Sequence, residues 1–462
     1  MPAVPLGIAA YSRQSAAQPE TRLVNMYMEE DKSGASPDEF MRLQRPGLTR
    51  FASLTQGPVR GLYQSDNSIS NIPIVVAGPK WFRLDGADIV AIADLPDDGA
   101  TVRIEATFER VGVISAGEFH VWNGETTTKV QLRDTLTADD ATLTLRDLPP
   151  IIDLDVLNGY FILGTSGGTF YWLVPGENSV QELNYATAEA LPDGLIAIRR
   201  LRDDVFMFGA NSIEVWQATG DANATFSRAT GRLVDRGIIG RDSLAIYDNS
   251  LLWVGDDSIV YRMGDGIPDR ISDFGIEERL KNRTDEPSAW VFTSYGHKFY
   301  VLRIPGQGTF AYYADTKLWC EFSTLGATEW RPRLGIDTAT GALCGDATGA
   351  LFKLDPDSSL DDGQPFERLV SGTIALPSTP VPNSSIAIGV GTNIPAVFRL
   401  RWNDPRRGWS EPRELMARGE GDILNAWRMG MARAPSRTFE ISTVSPAHIR
   451  ISGAVANEGW RV

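Results

Sequence analysis

The chain has 462 residues, with 59 acidic against 44 basic side chains, a formal charge of −15 and 42% hydrophobic residues. That balance excludes a disordered or fibrous chain and disfavours a protein that coats nucleic acid by charge neutralisation, and the length allows two or three domains. No run approaches the ~18 apolar residues a membrane span needs, and two cysteines, Cys320 and Cys344, exclude a disulfide scaffold or a cysteine-rich metal site.

Taken in chain order, residues 1–60 come first. Met1 to Ala10 lacks a basic n-region and a sustained apolar core, so no secretory signal is expected. Pro19, Pro37, Pro46 and the acidic cluster Glu29-Glu30-Asp31 fall without regular spacing. This reads as an extended arm that either closes the next domain or docks on a partner.

Residues 61–356 carry a repeat. Short strands rich in Val, Ile, Phe, Tyr and Trp run into a turn glycine and out again, as in Ile74-Val75-Val76-Ala77-Gly78 followed by Lys80-Trp81-Phe82-Arg83-Leu84. The turn glycines fall at 78, 117, 164, 209, 255, 306 and 345. A period of ~40–50 residues around a strand–turn–strand unit is the signature of propeller blades, which bury their faces only by stacking around an axis. The expected fold is therefore an all-β propeller of seven blades, or six and an outlier; a pair of β-sandwiches with accidental spacing is the alternative. Trp81, Trp122, Trp172, Trp216 and Trp253 recur near the second strand of each unit, which fits packing between blades, with carbohydrate stacking as the sharper alternative. Helical spacing is confined to Ile276–Asn282 and Thr187–Ala190.

Asp355 to Pro365 reads as a polar linker. Residues 357–462 change rhythm, with strands expected at Ser371–Ala375, Ile386–Val390, Val397–Trp402, Thr438–Val444 and His448–Ile451, a β-sandwich-like domain. From Arg399 to Val462 there are 11 Arg and 7 acidic residues, a balance of +4, so residues 1–398 carry −19. The two regions are expected to face different neighbours. Arg401 to Ser410, flanked by Trp402 and Trp409, reads as a hairpin loop or a basic patch for a protein partner or a phosphate.

Chemistry is conspicuous by what is missing. The chain has no phosphate loop, no G-x-S-x-G elbow and no H-E-x-x-H. His120, His297 and His448 are scattered, and Asp355-Pro-Asp357-Ser-Ser359 fails as a calcium loop because Leu360 and Phe366 stand where a glycine and a bidentate carboxylate are required. Adjacent acids at Asp97-Asp98, Asp139-Asp140, Asp203-Asp204, Asp256-Asp257 and Asp361-Asp362 suit tight turns better than glycosidase pairs. No catalytic, cofactor-binding or metal-binding residue is assigned.

Several segments together carry a resemblance. Leu23-Val24-Asn25-Met26-Tyr27, Arg45-Pro46-Gly47-Leu48 and Val59-Arg60-Gly61-Leu62-Tyr63 open the chain. Leu191-Pro192-Asp193-Gly194-Leu195 through Phe208-Gly209-Ala210-Asn211-Ser212-Ile213-Glu214, Arg236-Gly237-Ile238-Ile239-Gly240 and Ser272-Asp273-Phe274-Gly275 follow. Lys317-Leu318-Trp319-Cys320 and Trp427-Arg428-Met429-Gly430-Met431-Ala432-Arg433 come late. In this order the chain resembles the packaged-DNA stabilisation proteins of short-tailed bacteriophages, also called tail hub or nozzle proteins.

The resemblance implies a structural virion protein of the tail, made in the bacterial cytoplasm, without enzyme activity, cofactor or membrane anchor. Such proteins form a ring of six beneath the portal and its head-to-tail adaptor. They close the channel over packaged DNA, touch the passing DNA non-specifically during ejection, and hold the tail spikes or fibres and the needle or tip. An acidic channel wall would let DNA slide by repelling its phosphates. Arg45, Trp427 and Arg428, in family-like segments, are the residues expected at partner interfaces. The alternatives are a glycan- or protein-binding propeller and a propeller glycosidase or lyase.

Overall fold

A computed structural model of the chain describes residues 3–7, 21–32, 39–64, 71–86, 88–134, 144–188, 190–221, 224–264 and 266–456. Among these residues the middle of the chain forms seven antiparallel blades of four strands. Blade 1 comprises Val59–Tyr63, Ile74–Ala77, Lys80–Asp85 and Asp88–Asp94, and blade 2 Arg103–Ala106, Val111–Ser115, Glu118–Trp122 and Thr127–Lys129. Blade 3 comprises Asp153–Leu157, Tyr160–Gly164, Thr169–Leu173 and Tyr185–Thr187, and blade 4 Ala197–Leu201, Asp204–Phe208, Ile213–Ala218 and Phe226–Val234. Blade 5 comprises Ala245–Tyr247, Ser250–Val254, Val260–Met263 and Asp269–Arg270, and blade 6 Ser288–Ser294, His297–Ile304, Gly308–Tyr313 and Leu318–Phe322. Blade 7 takes Leu334–Thr338, Gly341–Gly345 and Ala350–Asp355 from its own stretch and its fourth strand, Gly47–Ser53, from the beginning of the chain.

The seven glycine turns of the sequence are the turns between second and third strands of each blade. The second strands read as unbroken apolar runs because each is covered on both faces, by the neighbouring blade on either side; Ile74–Ala77, Val111–Ser115 and Ser250–Val254 are buried at every position. Separate apolar cores fill the wedges between blades 1 and 2, 2 and 3, 3 and 4, 4 and 5, 5 and 6, and 7 and 1. Aromatic pairs cross these wedges: Trp81 to Trp122 at 6.4 Å, Phe170 to Trp216 at 4.9 Å and Phe208 to Trp253 at 5.5 Å between ring centres. The recurring tryptophans are therefore inter-blade packing, buried and out of reach of a sugar. Where blades come closest no side chain fits: a Cβ on Gly335 would stand 2.4 Å from the indole of Trp290.

The remaining wedge, between blades 6 and 7, runs without a break into the core of a β-sandwich. One sheet of the sandwich orders Met26–Glu30, Phe40–Gln44, Ile449–Ala456, Ser385–Thr392 and Asp422–Trp427. The other runs from Leu23–Val24 through Arg368–Ala375, Ser436–Thr443 and Ala396–Asp404 to Gly408–Trp409 and Arg413–Ala417. Leu23–Val24 pairs on one side with blade 6, in parallel, and on the other with Arg368–Ala375, so sandwich and propeller share a continuous sheet.

The N-terminal segment takes the first of the two roles expected of it: Gly47–Ser53 closes the propeller as the fourth strand of blade 7, and the apolar Leu23, Val24, Met26, Met28 and Leu48 are buried in the sandwich and in blade 7. One expectation is corrected: the polar stretch after Asp355 is not a linker, because Leu360–Asp361 pairs with the closing strand and turns back onto Gln364–Pro365. One α-helix occurs among the described residues, Phe274–Lys281, started by Asp273, whose side chain accepts the Ile276 N–H at 2.9 Å. Thr187 ends a strand of blade 3 instead of opening a helix, and residue 189 lies outside the described set.

Candidate functional site

Propellers commonly bind ligands at the axis, so the axis comes first. Here side chains close it. The turn Arg241–Ser243, which leads into blade 5, reaches across: Arg241 donates to the carbonyl of Ile152 at 2.6 Å and to the carbonyl and hydroxyl of Thr101 at 3.0 and 2.8 Å, while Thr101 donates its hydroxyl to Asp242. Further in, Arg103 of blade 2 pairs with Asp153 of blade 3 at 2.8 Å, and Asp153 also accepts the N–H of Ile198 of blade 4 at 2.7 Å. Arg199 of blade 4 pairs with Glu105 of blade 2 at 3.0 Å and with Asp155 of blade 3 at 3.4 Å. Burial pushes the Asp155 carboxyl up to about 6, against the N–H groups of Arg200 and Val156 that favour its charge. Burial also raises Glu105 well above the carboxylate range, helped by the nearby Asp155 and Asp153. Above this plug a 990 Å³ cavity opens on one face of the propeller, with Arg60, Asp98, Asp242 and Arg333 in its wall. Because hydrogen bonds span the axis, no polymer can thread the propeller itself.

The paired acids serve turns and ion pairs. Asp97 and Asp98 hold the buried Arg60 at 3.0 and 2.9 Å, Asp257 accepts the Tyr261 hydroxyl at 2.6 Å, and Asp204 accepts from Gln217 and Arg232. Asp139-Asp140 lies outside the described residues. Among the described residues no group of three or more His, Cys, Asp or Glu is arranged to hold a metal ion. The three histidines are apart; His120 lies in a strand of blade 2 against Glu118 at 3.2 Å, its pKa lowered by burial.

Of the three residues expected at interfaces, Arg45 is corrected. It is fully buried, and all five of its N–H groups are used inside the chain: Nε to Asn25 Oδ1 at 2.7 Å, Nη1 to the Pro46 carbonyl and Asp361 Oδ1, both at 2.9 Å, and Nη2 to the Ser323 carbonyl at 3.2 Å and Asp361 Oδ2 at 2.6 Å. Phe366 and Trp330 flank the guanidinium at 4.1 and 4.8 Å. Arg45 thus joins the N-terminal segment, blade 6 and the stretch after blade 7 at one point, which explains a family-like segment without any surface role. Sequence reasoning missed Asp361 as its partner because the two lie 316 positions apart.

Trp427 and Arg428 are on the surface. Trp427 is 61% exposed on the edge strand Asp422–Trp427 of the sandwich, and Arg428 follows it in a left-handed turn (φ 59°). Ile423 on the same strand is 60% exposed and Met416 on the neighbouring one 58%. Neither was singled out from sequence, although Asp-Ile-Leu-Asn-Ala-Trp, with large apolar residues on both faces of one strand, was the available signal.

Comparison with known proteins supplies the rest. A family model described as Phage_stabilise, bacteriophage P22 Gp10, beta-propeller, matches residues 3–359. A curated relative, the tail hub protein gp10 of Salmonella phage P22, is 25% identical over 160 residues, 32% of this chain and 34% of the relative, so the match spans about a third of that protein's length. Solved structures similar to this chain include U3-55K (TM-score 0.45, 11% identity, 67% of this chain and 99% of that one) and the WD40 β-propeller domain of Doa1 (TM-score 0.41, 12% identity, 66% and 96%).

Proposed function

The chain belongs to the phage stabilisation family of bacteriophage P22 Gp10, a family of β-propeller tail hub proteins and so a structural component of the virion, and from that membership we propose its place in the particle. It is the hub of a short tail, assembled as a ring of six below the portal and its adaptor. It closes the channel over packaged DNA, conducts the DNA at ejection and anchors spikes or fibres and the needle or tip. It is synthesised in the bacterial cytoplasm and works as a scaffold, not as an enzyme.

The observation that carries this reading is the extent of the family match, which includes the N-terminal strands, all seven blades and the strand exchange that closes blade 7. The plugged axis adds a constraint. DNA cannot pass along a propeller whose axis is crossed by Arg241, which reaches from the turn before blade 5 to Thr101 before blade 2, so the conduit on this reading lies between copies. Its wall is built from outer surfaces, where the −19 balance of residues 1–398 keeps phosphates from adhering.

The test is the native mass of the chain by light scattering, alone and with the neighbouring adaptor–portal complex. Six copies alone, or six recruited to the complex, support the hub. A chain that stays monomeric and ignores the complex refutes it.

A further inference from the structure

The sandwich carries an apolar surface that no described part of the chain covers. On the strand Asp422–Trp427 the inward Leu424 and Ala426 are buried, while the outward Ile423 and Trp427 are 60% and 61% exposed, at positions where a solvated strand carries polar residues. Met416 and Met431 extend this surface. The surface is held in shape: Arg413 stacks on Trp402 at 4.8 Å and donates to the carbonyls of Trp427 and Arg428, and Arg401 stacks on Trp409 at 4.3 Å. Tryptophan, methionine and arginine on a preformed apolar surface are the composition of a protein-binding hot spot.

Charge and topology indicate the occupant. The segment that carries this surface, residues 399–462, has a balance of +4, and the rest of the chain is at −19. In each blade the turns between first and second and between third and fourth strands emerge at the same end. On blades 2 and 4 those turns expose Glu109, Glu125, Asp203 and Asp221, against an exposed Arg202 and a half-buried Arg110. The same end offers an apolar foothold: Phe108, 79% exposed, on the rim of a 190 Å³ cleft between blades 2 and 3 lined by Phe161, Leu173 and Pro175. The sandwich is fused to blades 6 and 7, and in a ring of seven the blade opposite those two is blade 3. One copy cannot bring its own Trp427 onto its own acidic turns.

We propose that the Ile423–Trp427 surface of one copy docks on the acidic turns and Phe108 cleft of blades 2 to 4 of a second copy. The two faces differ, so the contact is head-to-tail and leaves each copy with one free face of each kind, the arrangement that closes a ring or propagates. The proposal rests on the tail-hub reading only for closure at six copies; the contact itself rests on the two surfaces.

The experiment is sedimentation equilibrium of the full chain over a concentration series, with two variants that each spoil one face. Ile423→Glu/Trp427→Glu spoils the sandwich face and Glu109→Lys/Phe108→Glu the acidic one. All four side chains are exposed, so unchanged thermal unfolding certifies the fold. Each variant alone is expected to associate at least about tenfold more weakly than the parent chain, and added salt weakens the parent's association. A mixture of the two variants is expected to form dimers that grow no further, because only one good face of each kind remains. The inference is overturned if the parent chain is monomeric across the series, if either variant associates like the parent, or if the mixture forms no dimer. Recruitment of six copies by the adaptor–portal complex would, in those cases, leave the tail-hub reading standing.

Discussion

Replacing Arg45 tests whether the joint between propeller and sandwich is as tight as its geometry implies. The side chain is wholly buried, Asp361 is 6% exposed, and the pair is bidentate at 2.9 and 2.6 Å. Removing the guanidinium strands the Asp361 carboxylate, takes one of two donors from the Asn25 Oδ1, which keeps the Ser323 N–H, and removes the side-chain donors to the Ser323 and Pro46 carbonyls. Breaking one side of such a buried pair costs about 3–5 kcal/mol, so Arg45→Ala is expected to lower unfolding stability by that amount. Arg45→Lys keeps the charge but offers three donors in place of five and no planar fork. Its loss is expected near 2–3 kcal/mol, the scale of one or two charge-assisted hydrogen bonds. The double variant Arg45→Met/Asp361→Leu removes both charges and, flanked by Phe366 and Trp330, is expected to recover most of the loss. The assay is urea denaturation followed by tryptophan fluorescence, since Trp330 reports from the joint itself. An Arg45→Ala chain within about 1 kcal/mol of the parent, less than any buried pair of this kind releases, would refute the reasoning.

Other outcomes follow from the same structure. Asp155 has its folded pKa pushed up to about 6, above its unfolded value, so the native state takes up a proton more readily than the unfolded chain. Its ionisation therefore opposes folding, and stability is expected to fall as pH rises from about 4 through 6, by on the order of 2–3 kcal/mol; Asp155→Asn should flatten that slope in denaturation curves taken at pH 4.5 and 7. Gly335→Ala forces a methyl group against the Trp290 indole and is expected to cost about 1–3 kcal/mol in thermal unfolding. Burial raises both the Cys320 and the Cys344 thiols far above the usual cysteine range, so neither should react with a thiol reagent such as DTNB in the folded chain, and both should react at once in denaturant.

Much of the propeller was legible because it is built by local repetition. Each blade is made almost wholly from contiguous residues, a hairpin of second and third strands such as Tyr160–Gly164 with Thr169–Leu173 needs only its turn and its apolar run, and covering by neighbours on both faces leaves a continuous hydrophobic string that sequence displays. Trp81, Trp122 and Trp253 could be assigned to inter-blade packing for the same reason: they recur with the blade. Of the sandwich strands from Arg368 onward, those at Arg368–Ala375, Ser385–Thr392, Ala396–Asp404, Ser436–Thr443 and Ile449–Ala456 were legible, whereas Arg413–Ala417 and Asp422–Trp427 were not.

What sequence could not provide is any pairing that depends on distance along the chain. Gly47–Ser53 completes blade 7 against Ala350–Asp355, Leu23–Val24 bridges blade 6 to Arg368–Ala375, and Arg45 meets Asp361. Their identities carry no trace of these partners, because a backbone ladder accepts nearly any strand and one carboxylate looks like another. The arm therefore read as a segment that closes the propeller or docks on a partner, with no partner strand assigned, and the polar stretch as a linker; both became the joint of the molecule only when the ring closed. The same holds for the axis, where Thr101, Arg103, Asp153, Arg199 and Arg241 come from four blades and converge through the symmetry of the ring alone. The repeat, its period and its packing residues were determined locally by the sequence; closure, plug and exposed faces were decided by the tertiary structure, since only there do residues hundreds of positions apart share a dielectric and a hydrogen bond.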